Sequence, residues 1–226
     1  VNRTLFFPIC ALSVALALSL LACQSKPESA ATQAPAVAPV ATPSVPANPP
    51  STPVGPDSAA LVQQFVPAGY RLLDMETGDL NRDAYPDKLL VLDSVQTDTT
   101  GVLGSAALRP LLVLTSNAQG QYTLAARNDN AAMCSGCGGM MGDPYQGLTI
   151  KNGYFSVEHY GGSAWRWTHI VTFKYNPTDH HWYLHREGGD SFHAADPDKV
   201  ETHVKTIRDF GRVRFEQYTG DEAAEK

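Results

Sequence analysis

Basic residues are scarce. The 226-residue chain has 17 lysines and arginines against 23 aspartates and glutamates, for a net charge of −6. They form no cluster, which argues against nucleic acid as a partner. Several catalytic signatures are missing as well. There is no His-Glu-x-x-His helix for a zinc protease. Gly161-Gly162-Ser163-Ala164 begins like a nucleophile elbow, but Trp165 stands where the last glycine belongs. Gly138 occupies the position at which Cys-x-x-Cys-His haem attachment needs histidine.

What is present begins with an address. Residues 1–22 open with Asn2 and Arg3, run apolar from Leu5 to Leu21 with few interruptions, and end in Leu20-Leu21-Ala22-Cys23. A short apolar run closed by a small residue reads as a secretory signal rather than a membrane span. The four residues LLAC resemble the lipobox of bacterial lipoproteins. That resemblance implies a lipid on Cys23 and, with Gln24 next, sorting to the outer membrane of a Gram-negative envelope. Residues 23–56 are rich in alanine and proline without apolar periodicity, as in a disordered tether. At about 3.1 Å per residue it would reach on the order of 100 Å.

Residues 57–226 are long enough for one domain. A short N-terminal helix is expected, capped by Asp57 or Ser58, with Leu61, Val62 and Phe65 on one face and Pro67 at its end. The remainder reads as strand. Leu89-Leu90-Val91-Leu92 suits a strand buried on both faces. Asn152-Gly153 marks a hairpin. From Trp165 to Tyr175, aromatic and apolar residues alternate with polar ones and give one aromatic face. Strands are expected near 70–78, 88–93, 109–116, 121–127, 147–151, 154–160, 164–175 and 181–187, with a last one at Val213–Tyr218. Asp196 and Asp198 read as a solvated turn. The fold class is therefore all-β, built of antiparallel meanders: two four-stranded sheets, packed face to face or splayed as partial propeller-like blades.

The stretch "GDLNRDAYPD" places Asp79, Asn81, Asp83 and Asp87 at alternating positions of a short loop. Several oxygen ligands in a tight loop suit Ca2+, with Tyr85 lending a carbonyl. Leu90 stands where an EF-hand has its twelfth-position glutamate, which excludes that motif. The loop and the apolar strand behind it, "DLNRDAYPDKLLVL", resemble the FG-GAP (VCBS) calcium loop of integrin-like blades. Ala84 departs from that family's glycine, and a left-handed residue there would cost about 1 kcal/mol. A turn held by Asx hydrogen bonds without an ion is the alternative. With "HYGGSAWRWTHIVTFKY" and "VKTIRDFGRVRFEQ", the chain resembles bacterial lipoproteins carrying such a repeat. The resemblance implies a fold and a structural calcium site, and no established activity.

"MCSGCGGMM" carries Cys134 and Cys137. In an oxidising compartment they read as a local disulfide. Two thiolates near Met133, Met140 and Met141 would instead suit Cu(I), with His159, His180, His181 and His185 as further copper or zinc ligands. A thiol-redox role lacks the βαβ surroundings it would need. His169 reads as a hydrogen-bonded core histidine. Trp165 and Trp167 read as core packing by their period, with a sugar-binding groove as the alternative. The reading as a whole is a non-catalytic outer-membrane lipoprotein domain for binding or scaffolding, its partner an unknown envelope protein or glycan. Copper or zinc handling and envelope hydrolysis are the alternatives.

Overall fold

The computed structural model describes residues 60–96 and 107–220. The leader, Cys23, the tether and the caps Asp57 and Ser58 lie outside the described residues. The apolar run Leu89-Leu90-Val91-Leu92 sets the layering. Leu89 and Val91 point into one core and Leu90 and Leu92 into another, and Leu111 to Leu114 divide in the same way. These two strands are buried on both faces, as their composition requires.

Two antiparallel sheets result. The first has the order β1-β2-β3-β4, comprising Tyr70–Gly78, Asp87–Ser94, Arg109–Ser116 and Tyr122–Ala132. The second runs β5-β6-β7-β8-β9, comprising Tyr145–Lys151, Tyr154–Gly162, Trp165–Asn176, His181–His193 and Asp196–Thr206. The fold is all-β, and each sheet is a meander. Asn152 and Gly153 both have positive φ (53° and 76°), as a two-residue hairpin turn demands. The inner faces share one core, to which Leu89, Val91, Leu111 and Val113 contribute from one sheet and Phe155, Val157, Val171 and Phe173 from the other. At Gly78 a Cβ would lie 2.6 Å from Ile150, so β1 and β5 approach closely there because the glycine has no side chain.

The outer face of the first sheet is covered by the helical turn that ends in Gln63–Phe65. Val62 is fully buried, and Phe65 packs beside it. Leu61, expected on the same face, is exposed.

Two expectations are corrected. The second sheet has five strands, not four, because β8 runs on to His193, and Asp196 and Asp198 belong to β9 instead of a solvated turn. Only Val200 and Val204 are apolar in the body of β9, and both are exposed. The ladder to β8 holds it, so it leaves no burial pattern to read. The second correction concerns Val213–Tyr218. This segment makes a single bridge, Arg214 to Tyr183, and then a 3-10 turn at Phe215–Gln217. It works as a plug. The Phe215 ring meets Phe155 and Phe173 edge-on at 5.3 and 5.0 Å. The buried Asn128 amide donates to the carbonyls of Phe215 and Tyr218, each at 2.7 Å.

Truncating the plug with Phe215→Ala should lower stability by about 3–5 kcal/mol, read from the midpoint of urea unfolding.

Candidate functional site

The acidic loop joins β1 to β2. Asp87, the first residue of β2, is fully buried. One of its oxygens accepts the Leu80 N–H at 2.8 Å and the other accepts the Ser116 N–H at 2.9 Å. The Asp79 carboxylate accepts the backbone N–H groups of Arg82, Asp83 and Ala84. Asn81 is bound within the turn, its amide nitrogen donating to Asp83 at 2.7 Å. Oxygens of Asp79, Asp83 and Asp87 lie within 4.8 Å of one another. Burial raises the Asp87 carboxyl above its usual range. The backbone N–H groups oppose that rise, and the charges of Asp83 and Asp79 add to it. Ala84 has φ +68°, and Arg82 is also left-handed at +67°. Tyr85 is exposed, and its N–H donates to Asp83.

The loop is fastened to the second sheet too. Trp182 Nε1 donates to the Leu80 carbonyl at 3.0 Å, and the Gly153 N–H donates to the Asp79 carbonyl at 3.2 Å. Both donors, an indole and a hairpin backbone, belong to the second sheet, so the loop is a joint between the sheets.

Cys134 and Cys137 stand at disulfide distance, with Cα atoms 5.2 Å apart. Cys134 is buried and Cys137 exposed. The soft-metal set is not assembled around them. Met140 is exposed, and Met141 meets the Arg166 guanidinium. His180 bonds the Tyr175 hydroxyl, His181 lies 3.5 Å from Glu216, and His185 sits edge-on to Tyr154.

The structure also holds a buried polar cluster that no sequence motif announces. Arg109 is 1 % exposed, and its guanidinium donates to both oxygens of Asp143 (2.7 and 2.6 Å), to Asp93 (3.1 Å) and to the Met133 carbonyl. The Tyr145 hydroxyl donates to Asp74 at 2.7 Å. Burial, then this bond, push the tyrosine far above its usual range. His159 Nε2 accepts the Met133 N–H at 3.1 Å, and its ring lies 5.9 Å from that of His169. Burial, with His169 second, lowers His159 to about 4. One signal is available in the chain: Arg109 stands two residues before Leu111, on the face that strand alternation buries.

Trp165 and Trp167 share the face of Val171, Phe173 and Tyr175, but the core ends before it reaches them. Trp165 is 57 % exposed and meets His193 edge-on at 5.3 Å. Trp167 is half-buried beside a cavity of about 220 Å³. Core packing is therefore corrected for Trp165. His169 is only partly buried and borders the same cavity, and its Nδ1 has no hydrogen-bond partner.

No protein-family model, curated protein or solved structure matches the chain. The functional reading therefore rests on these sites.

Two outcomes are expected. Unfolded His159 takes up a proton near pH 6.5, whereas the folded imidazole resists until about pH 4. Its contribution is therefore complete above pH 6.5 and declines as pH falls toward 4, by on the order of 3 kcal/mol. Urea titrations across that range should show a shallower slope for His159→Gln. Ala84→Gly, which relieves the left-handed alanine, should raise stability by about 1 kcal/mol in the same assay.

Proposed function

We propose that the chain is a non-catalytic cell-envelope lipoprotein whose β domain, stabilised by calcium, serves binding or scaffolding. The observation that carries the calcium reading is the convergence of Asp79, Asp83 and Asp87 on one point between β1 and β2. The donor set is all hard oxygen, the chemistry Ca2+ prefers. Asp79, Asn81, Asp83 and Asp87 would hold the ion, and its charge would offset three clustered carboxylates, one of them buried. The left-handed Ala84 supports the likeness to the FG-GAP loop, since it takes the backbone turn for which that family uses glycine. In this reading the ion is structural and steadies the joint between the sheets.

The envelope address rests on the sequence of residues 1–56: a leader ending in Leu-Leu-Ala, the lipid-bearing Cys23, and a tether that holds the domain off the outer membrane. The partner is an envelope protein or a glycan. Copper or zinc handling needs two free thiolates, and a bonded Cys134–Cys137 pair offers none.

Calcium in hundredfold excess over its dissociation constant should stabilise the full chain by about 2.7 kcal/mol, and Asp83→Ala should abolish that gain. The measurement is thermal unfolding with calcium and with chelator. Identical melting temperatures for the wild type in both would remove calcium from the reading.

A further inference from the structure

The inner face of the second sheet continues past the core, and its cross-strand pairs show what it carries. Trp167 pairs with Ser191, and Trp165 with His193. Gly189 pairs with His203, Glu187 with Lys205, and Ser191 with Glu201. Directly paired residues share a face, and Val171, which pairs with Glu187, belongs to the buried core. All these residues therefore lie on the core side of the sheet.

Glycines let the elements around the trough approach closely. A Cβ on Gly161 would lie 2.4 Å from the Trp167 ring, so the indole rests against bare backbone of β6. At Gly189 a Cβ would lie 2.1 Å from the Thr168 carbonyl oxygen, so β8 lies close against β7 beside the trough. The cavity of about 220 Å³ lies there, and its lining includes Trp167, His169, Glu187, Asp190, His203 and Lys205. The volume lies below the roughly 300–1,000 Å³ of pockets for drug-sized ligands, which limits the site to a single ring. Trp165 stands two residues along the strand, about 6.7 Å away, and offers a second exposed aromatic surface on the same face.

We propose that this trough binds a neutral saccharide, with one ring in the cavity against Trp167 and the next on Trp165. Aromatic faces suit the apolar faces of sugar rings, while His169, Ser191 and His203 provide hydroxyl-bonding groups around them. His169, whose buried Nδ1 has no hydrogen-bond partner, borders the trough. The charges favour a neutral ligand. The lining carries both signs, Lys205 against Glu187 and Asp190, so no field of one sign would select an ion. The proposal rests on the reading of the domain as a binding module and names its ligand class.

The test is titration of the full chain with cellotetraose, chitotetraose and maltotetraose, followed by tryptophan fluorescence and calorimetry. Saturable binding of at least one, weakened about three- to tenfold by Trp165→Ala and by Trp167→Ala, is the expected result. The exposed Trp165 keeps the test valid if Trp167→Ala fails to fold. No binding at millimolar concentration by a chain that still unfolds cooperatively would overturn the trough and leave the binding-module reading intact. Binding that is unchanged in both variants, or a preference for an anionic oligogalacturonate, would also overturn it. Shorter products in the mass spectrum would support the trough and overturn the non-catalytic reading.

Discussion

A strand buried on both faces has to be covered twice, and the architecture comes from meeting that demand for β2 and β3. Leu90, Leu92, Leu112 and Leu114 need one cover, and the turn around Val62 and Phe65 provides it. Leu89, Val91, Leu111 and Val113 need the other, which the five-stranded sheet and the Phe215 plug provide. Remove either cover and a row of leucines faces water, at about 25 cal/mol for each Å² uncovered.

Buried charge sets the alignment that burial alone leaves open. Asp87 begins β2 and accepts the N–H of Ser116, the last residue of β3. Asp93, near the other end of β2, receives the guanidinium of Arg109, the first residue of β3. The central pair of strands is thus pinned at both ends by charged hydrogen bonds. A slip of two residues would keep every leucine on its proper face and yet break both pins, taking one charged hydrogen bond from each end of the pair. Apolar packing selects the faces, and these bonds select the register.

That division of labour explains how much can be read from the chain. The alternation from Val171 to Tyr175 and the run from Leu89 to Leu92 report burial directly, so β2 and the second half of β7 are legible nearly residue for residue. The Asn152-Gly153 turn is legible from backbone preference. The β9 strand is not, because it is held by its ladder and buries little. The Phe215 segment alternates like a strand, but it serves the core through two side chains instead of a ladder. Periodicity also says nothing about where an opposing sheet stops, which is why Trp165 reads as core. The three aspartates of the loop are close in sequence and can be grouped by eye. Tyr145 and Asp74 lie 71 positions apart, and Arg109 and Asp143 lie 34 apart. No local pattern connects them.

The exposed β9 strand has a further consequence. Its outer edge is the natural place for a neighbouring copy to add a strand and extend the sheet. Pro197 withdraws one N–H from that edge, and Lys199, Glu201 and Lys205 set charges along it. Anchored as proposed, the protein would share a two-dimensional surface with its own copies and meet them far more often than in free solution. An edge built this way would let copies crowd together without polymerising, so that each domain remains a separate unit at high surface density.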